Sequence, residues 1–214
     1  MTSDAQRSLA RSRVPAIVLA AGLSSRMGLF KPLLALGGRP LIHRVIDALV
    51  GSGGIPEVVV VTGHRSAELK LALEGTPGVR AVDNPNFAAG EMLSSLRAGI
   101  AALEHAEKPA GFLLAFADQP AVKPETIAKV IGSFSAAEGA PLAIPTHRGK
   151  RGHPIVLSWD LVAEIRGLPL DDTLRTVVHR HLSRAVTVEV DDASILEDLD
   201  TPDDFERARR RYGN

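Results

Sequence analysis

Short apolar runs alternate with amphipathic segments between residues 16 and 145, and this alternation restricts the fold more than any other feature of the chain. The apolar runs predict strands at 16–20, 57–62, 79–82, 112–117 and 142–145. The intervening segments carry apolar residues at helical spacing. They predict helices at 40–50, 66–73, 92–103 and 125–134. Because strand, helix and strand in this order form parallel βαβ units, we predict an α/β fold with a mostly parallel sheet covered by helices on both faces.

The pattern changes after residue 145. A basic, glycine-rich stretch at 146–154 precedes an apolar run at 155–157 and suggests a second binding edge. Further helices are predicted at 161–165, 173–182 and 203–211, with a strand at 186–190. We expect Thr201 or Asp200 to cap the last helix. A chain of 214 residues with 45% hydrophobic content suits one domain, which we place at 14–214 after a flexible polar tail at 1–13.

Composition excludes several functional classes. Lys plus Arg and Asp plus Glu both number 25, so the net charge is zero and no overall field attracts nucleic acid or an anionic membrane. The chain has no cysteine, which excludes disulfides, thiolate metal sites and cysteine nucleophiles. No apolar stretch reaches the roughly 18 to 20 residues of a membrane span, and the first residues lack the apolar core of a signal peptide. We therefore expect a cytoplasmic protein.

The segment 16–31 predicts an anion-binding loop. Its apolar strand leads into a loop in which Gly22 and Gly28 permit the turn conformations that direct backbone N–H groups at an anion. Arg26 and Lys31 add positive charge. The spacing is neither G-x-G-x-x-G nor the G-K-[ST] ending of a P-loop, which argues against a dinucleotide-binding redox enzyme and a P-loop NTPase. A triphosphate is the ligand that this loop suits best.

Acidic residues mark a candidate metal site. Asp118 follows the apolar strand 112–117 directly, and carboxylates at that end of a parallel sheet face the ligand crevice. Asp118 is therefore a candidate ligand for Mg²⁺, although an aspartate here could instead cap the next helix. Asp198 and Asp200 alternate in an extended segment and could point to one side.

Three motifs carry a resemblance to a known family. They are Leu19-Ala-Ala-Gly-Leu-Ser-Ser-Arg-Met-Gly-Leu-Phe-Lys31, Asp118-Gln-Pro120 and Asp198-Leu-Asp-Thr-Pro-Asp-Asp204. Together they resemble the MobA-like nucleotidyltransferases of molybdenum cofactor biosynthesis, and among these the cytidylyltransferases, across about residues 14–210. The resemblance implies a Rossmann-like, three-layer nucleotidyltransferase fold of the GT-A-like type. It also implies a Mg²⁺-dependent transfer of CMP from CTP to the phosphate of molybdopterin or the molybdenum cofactor, with release of pyrophosphate.

The resemblance also implies roles for individual residues. Catalysis would involve Lys31, Arg26 and Asp118. The nucleotide would be bound by Leu19, Ala20, Ala21, Gly22, Ser24, Arg26, Gly28, Lys31, Thr62, Gly63, Asn84, Ser95 and Asp118. The acceptor would be bound by Arg151, Gly152, His153, Pro154 and Arg175, with Arg148 and Lys150 nearby. Mg²⁺ would be held by Asp118 with Asp198 or Asp200.

Several alternatives stay open at this point. Ala21 favours CTP, since guanylyltransferase relatives carry L-A-G-G where this chain has L-A-A-G, but GTP is the first alternative donor. A different small phosphate acceptor and a nucleotide-binding module without catalysis are the others. The family usually has its glycine immediately before the start of the helix that contains the methionine. Here Glu91 stands between Gly90 and that methionine, which weakens any ligand contact assigned to Gly90. His153 is either structural or part of the acceptor pocket, and a molybdoenzyme could receive the product.

Overall fold

The computed structural model of the protein describes residues 14–22, 29–89, 92–104, 108–169 and 171–212. The predicted tail at 1–13 lies outside the described residues, as do Ser24, Arg26 and Gly28 of the predicted anion-binding loop. Those assignments stay predictions. No helix within the described part is long and apolar enough to cross a membrane.

The predicted α/β architecture is confirmed. The strands of the main sheet are β1 (Ala16–Leu19), β4 (Val58–Thr62), β5 (Val79–Asp83), β6 (Gly111–Phe116), β7 (Leu142–His147), β8 (Lys150–Arg151), β9 (Ile155–Ser158) and β10 (Val186–Glu189). A separate hairpin consists of β2 (Ala35–Leu36) and β3 (Arg39–Pro40). The helices are α1 (Leu41–Gly51), α2 (Ser66–Leu73), α3 (Met92–Ala102), α4 (Pro124–Ala136), α5 (Val162–Gly167), α6 (Leu174–His181) and α7 (Pro202–Tyr212). Where the sequence predicts an element, the observed bounds differ from the predicted ones by at most two residues.

The main sheet has the strand order β10-β7-β9-β6-β1-β4-β5, with β8 paired to β7. Strands β6, β1, β4 and β5 run parallel, and β10 is parallel to β7. Strand β9, which comprises the apolar run after the basic stretch, lies antiparallel between β6 and β7. The sheet is therefore mostly parallel, and β9 brings the basic stretch next to the end of β6.

Apolar side chains fill both faces of the sheet. On one face, residues such as Val18 and Val60 pack against α1, α2 and α4. On the other, residues such as Ile17 and Val61 pack against α3, α5 and α6. Burial on both faces explains why these strands are continuous apolar runs, since successive side chains alternate between two cores. Helices on both sides of one sheet give the three layers expected from the sequence.

The C-terminal segment, residues 190–201 between β10 and α7, is held by a helix cap and by a buried leucine. Thr201 caps α7, because its hydroxyl accepts from the backbone N–H of Asp204 at 3.2 Å and Asp204 accepts in return from the backbone N–H of Thr201. Asp200 does not act as the cap, which corrects one of the two predicted possibilities. Leu199 is buried with Leu36 of the β2–β3 hairpin and Leu41 of α1. Because side chains alternate in an extended segment, this burial turns the acids on either side of Leu199 towards the sheet end.

Candidate active site

Two cavities lie side by side at the carboxyl end of β1 and β6, where open parallel sheets bind their ligands. The first has a volume of about 280 Å³ and the second about 890 Å³. Met92, Phe116 and Asp118 line both of them. Two ligands bound in these cavities would therefore meet at the end of β6.

The first cavity contains most of the predicted nucleotide-binding residues that the structure describes. Its wall includes Leu19, Ala20, Ala21, Gly22, Lys31, Ser95 and Asp118. The backbone N–H of Ala20 donates to the carbonyl of Val61 at 3.0 Å, which extends the pairing of β1 with β4 beyond the strand and fixes where the loop begins. Five wall residues are missing from the predicted set: Pro32, Phe87, Met92, Phe116 and Ala117.

Three residues predicted to bind the nucleotide lie behind the first cavity. Thr62 is fully buried, and its hydroxyl bonds to side chains of α2 and β5. The amide of Asn84 is buried and donates to the hydroxyl of Ser95 at 3.0 Å. A Cβ at Gly63 would lie 2.6 Å from the Cβ of Phe87, so only glycine fits there without movement. These residues support the wall, and their direct contact with a nucleotide stays a prediction.

Lys31 lies between two acidic side chains. Its Nζ is 2.7 Å from Oδ1 of Asp200 and 3.5 Å from Oδ2 of Asp118. The Lys31 side chain is only 12% exposed, because the chain turns through a short helical segment at Lys31–Leu33 immediately after Phe30 enters the core. Lys31, the predicted cation of the anion-binding loop, therefore contacts an acid of the motif at 118–120 and an acid of the motif at 198–204.

The surroundings of Asp118 contain too little positive charge to offset the charge of its carboxylate. Burial raises the pKa of Asp118 above its usual range, and the nearby charges of Asp198 and Asp200 raise it further. The Lys31 ammonium and a backbone hydrogen bond act in the opposite direction without cancelling the increase. Three acids around one lysine leave an excess of negative charge, which a cation bound there would relieve.

The second cavity contains most of the predicted acceptor residues. Its wall includes Arg151, Gly152, His153, Arg175, Asp198 and Asp200. Pro154 lies outside this wall and is buried, and it is joined to His153 by a cis peptide bond. Both acids of the C-terminal motif line the same cavity, which confirms the prediction that Asp198 and Asp200 point to one side.

Two of the basic residues predicted near the acceptor do not line the second cavity. Arg148 and Lys150 are exposed at the turn between β7 and β8. The backbone N–H of Arg148 donates to Oε1 of Glu189 at 3.1 Å, which ties the turn to the outer strand β10. The hairpin thus carries Arg148 and Lys150 past the sheet end and outside the cavity wall, and their contact with the acceptor stays a prediction.

His153 is held as a neutral ring. Its pKa is lowered to about 4, chiefly by burial and also by Arg175, against the opposing effect of Asp198. Its ring lies edge-on to Phe116, with centroids 4.6 Å apart. Its Nδ1 is buried and has no hydrogen-bond partner among the described residues. At neutral pH His153 therefore contributes a neutral ring to the cavity wall.

The family is decided by a comparison of the amino-acid sequence with known protein families. The pattern of the MobA-like NTP transferase domain matches residues 16–186. The chain belongs to the MobA-like NTP transferase family. It is a nucleotidyltransferase.

Individual relatives cover nearly the whole chain. It is 31% identical to the molybdenum cofactor cytidylyltransferase of Escherichia coli (strain K12), over 94% of this chain and 98% of the relative. It is 29% identical to the probable molybdenum cofactor guanylyltransferase of Natronomonas pharaonis, over 91% of this chain and 96% of the relative. A crystal structure of a Mycobacterium tuberculosis H37Rv protein superimposes with a TM-score of 0.77 at 26% identity, covering 92% of this chain and 98% of that one. Another crystal structure of that protein is a complex with manganese.

The acidic cluster of this MobA-like transferase fits a hard divalent cation. Within the described residues, no group of three or more His, Cys, Asp or Glu side chains is arranged to hold a metal by itself. Asp118 nevertheless borders both cavities with two further acids close to it, and its surroundings favour added positive charge. Mg²⁺ is commonly bound through one or two carboxylates together with substrate phosphates. The carboxylates present fit that mode, in which the triphosphate completes the site.

Two buried polar residues near the site have no role predicted from the sequence, although Gln119 lies within the Asp118-Gln-Pro120 motif. Gln119 donates through Nε2 to Oδ1 of Asp198 at 2.7 Å. Asp192 accepts from the backbone N–H of Lys123 and the hydroxyl of Thr126 at the start of α4, at 3.1 and 2.7 Å. It also accepts from Ser194 at the start of the C-terminal segment. Apart from the bonds between Asp192 and Ser194, these contacts join residues far apart in the chain, so no local pattern indicates them.

Asp192→Asn is expected to destabilise the protein by about 1 to 3 kcal/mol, because an amide group would face buried donors. Burial alone would raise the pKa of Asp192, but hydrogen bonds from Ser194, Thr126 and Lys123 outweigh it and lower the pKa. A lowered folded-state pKa means that this stability is present above the unfolded pKa of about 4 and is lost as the pH falls further. Thermal melts at pH 7 and pH 3 should show a difference from wild type that shrinks in acid. Asp191→Asn, at an exposed neighbour, is the control and should melt as wild type at both values.

Proposed function

We propose that this protein transfers CMP from CTP to the terminal phosphate of molybdopterin or the molybdenum cofactor and releases pyrophosphate. The observation that carries the proposal is the pair of adjoining cavities that share Asp118. A transferase of this kind must hold a nucleotide and a phosphorylated acceptor so that their phosphates meet. The smaller cavity, with Lys31 and the loop after β1, suits the nucleotide.

The reaction is a substitution at the α-phosphorus of CTP. An oxygen of the acceptor phosphate forms a bond to that phosphorus, and the bond to the oxygen that bridges the α- and β-phosphates breaks. The electron pair of this bond leaves with pyrophosphate. An acceptor phosphate is ionised at neutral pH, so the protein needs no nucleophile of its own, and holding the two anions together supplies much of the acceleration.

Lys31 has the charge and position to stabilise the transition state. Negative charge builds on the phosphate oxygens during the substitution, and a fixed cation that is shielded from water stabilises it strongly. When bound at Asp118 with Asp198 or Asp200, Mg²⁺ supplies Lewis-acid stabilisation of the same charge. The Nζ of Lys31 lies 3.5 Å from Oδ2 of Asp118, so the ammonium lies beside the carboxylate that would hold the cation.

The larger cavity has the chemistry of a pterin phosphate site. Arg151 and Arg175 offer guanidinium groups for a phosphate. Ile144, Leu93 and Val178 give the same cavity an apolar wall for a ring system. We propose that the product passes to a molybdoenzyme in the cytoplasm.

One assay distinguishes the proposed reaction from its alternatives. The purified protein is incubated with Mg²⁺, molybdopterin or molybdenum cofactor, and each of the four nucleoside triphosphates in turn, and pyrophosphate and dinucleotide are measured. We expect turnover with CTP. Turnover with GTP at equal or higher kcat/KM would establish the guanylyltransferase alternative. Asp118→Asn is the matched negative control, and an absence of product with every triphosphate would leave a different acceptor or a non-catalytic nucleotide-binding module.

Ala21→Gly is expected to reduce the preference for CTP over GTP by about 10-fold. Ala21 lines the first cavity, and removal of its methyl group widens the wall for a purine; a single group of this size changes discrimination by roughly 1 to 3 kcal/mol. The measurement is kcat/KM for both triphosphates. Ala20→Gly, at the neighbouring wall position, is the matched control for added backbone freedom and should leave the ratio unchanged. An unchanged ratio in both variants would mean that Ala21 does not select the base.

A further inference from the structure

The two acids of the C-terminal motif are held by different chemical groups. Asp200 is held by the Lys31 ammonium at 2.7 Å. Asp198 is held by the neutral amide of Gln119, whose Nε2 donates to Oδ1 at 2.7 Å. An ammonium offsets the charge of its partner, whereas an amide orients a carboxylate and leaves its full charge available to a cation.

Asp198 needs such a donor to keep its place. It is an exposed residue on the wall of the larger cavity, and it lies close enough to Asp118 for the two negative charges to repel. The amide of Gln119 opposes this repulsion by holding Oδ1, and its removal would free the carboxylate to turn towards water. Gln119 therefore balances the mutual repulsion of two acids at the junction of the cavities.

Gln119 is well placed to be a fixed donor. It is only 6% exposed, and its backbone N–H donates to the carbonyl of Phe116 at 3.3 Å in the turn that follows β6. The carbonyl of the preceding Asp118 accepts from the backbone N–H of Leu199 at 3.0 Å. The turn after β6 thus holds the C-terminal segment by two hydrogen bonds. The backbone carbonyl of Asp118 makes one, and the side-chain amide of Gln119 makes the other.

We propose that Gln119 is a positioning residue for the transfer reaction, which orients the Asp198 carboxylate towards Asp118 so that the two acids can serve one divalent cation. The proposal rests on the proposed function, because it assumes that the cation and a nucleotide bind at this junction. Gln119 does not line either cavity, and in this proposal it acts through Asp198.

The test compares wild type with Gln119→Met in a titration with Mn²⁺ in the presence of CTP, followed by electron paramagnetic resonance. Methionine keeps the length of the side chain and removes the donor, and the apolar neighbours of Gln119, among them Val122 and Pro154, suit contact with a thioether. We expect the Mn²⁺ dissociation constant to rise roughly 10-fold, as for loss of a group that orients a metal ligand. Asp198→Asn should raise it at least as much. The double variant should be no worse than Asp198→Asn alone, since both changes remove the same ligand.

Two controls separate positioning from a general loosening of the segment. Thermal melting should change little in Gln119→Met. Thr126→Val removes a buried hydrogen bond to Asp192 at the other end of the same segment, and it should lower Tm without changing Mn²⁺ affinity. Equal weakening in Thr126→Val, or additive effects of the Gln119 and Asp198 changes, would overturn the assignment of Gln119.

Failure of this inference is distinguishable from failure of the proposed function. Wild-type protein that binds Mn²⁺ only with GTP would contradict the choice of CTP, and the Gln119 comparison would then be made with GTP. Wild-type protein that binds no Mn²⁺ with either nucleotide would contradict both proposals. Nucleotide-dependent Mn²⁺ binding that Gln119→Met retains unchanged would contradict only the role of Gln119.

Discussion

Lys31→Ala is expected to lower kcat about 10²- to 10³-fold, the usual effect of removing one group that stabilises transition-state charge. Lys31 is the cation that contacts both Asp118 and Asp200, and it lines the nucleotide cavity. Its loss should change Tm far less than it changes kcat, because both carboxylates keep access to water and can be solvated. Steady-state kinetics with CTP and the acceptor, together with a thermal melt, measure the two effects.

Lys70→Ala is the matched control for this experiment. Lys70 also pairs with a carboxylate, that of Asp83, but the pair is exposed and lies outside both cavities. Its loss should leave kcat unchanged and cost little stability, as is usual for surface ion pairs. Near-normal turnover of Lys31→Ala would remove Lys31 from the reaction, and a collapse of Tm in that variant alone would make its role structural.

Asp118→Asn is expected to raise the Mg²⁺ concentration needed for half-maximal rate by 10-fold or more. Asparagine keeps the shape of the side chain and loses the charge that attracts a hard cation. The effect should be large because Asp118 borders both cavities and is the most buried of the three acids. The measurement is the initial rate as a function of Mg²⁺ at saturating CTP and acceptor.

The same titration distinguishes the roles of Asp198 and Asp200. If Asp198 shares the cation with Asp118, Asp198→Asn should raise the Mg²⁺ requirement, and the double variant should lose less than the sum of the single losses. If Asp200 serves chiefly as the partner of Lys31, Asp200→Asn should lower kcat with little change in the Mg²⁺ requirement. A shifted requirement in Asp200→Asn that is non-additive with Asp118→Asn would instead make Asp200 the second ligand.

The sequence was sufficient for the layers of the fold and the position of the site within it. Continuous apolar runs and helical spacing are local properties, and they predict parallel strands buried on both faces. The carboxyl ends of parallel strands lie at one edge of a sheet, so the sequence predicts that a loop leaving β1 and an acid following β6 lie at that edge. Lys31 and Asp118 could therefore be assigned to one site from the sequence. The structure adds that β1 and β6 are neighbours.

The tertiary structure alone decided which side chains contact one another within that site. The insertion of β9 between β6 and β7 carries Arg151 to the cavity and leaves Arg148 outside it, a difference that composition does not encode. The pairing of Lys31 with Asp200 joins residues 169 positions apart, and it depends on the burial of Leu199 against the β2–β3 hairpin. Local patterns specify the faces of strands and helices. Which distant side chains come within hydrogen-bond distance depends on how the whole chain packs, because a shift of a single ångström makes or removes such a bond.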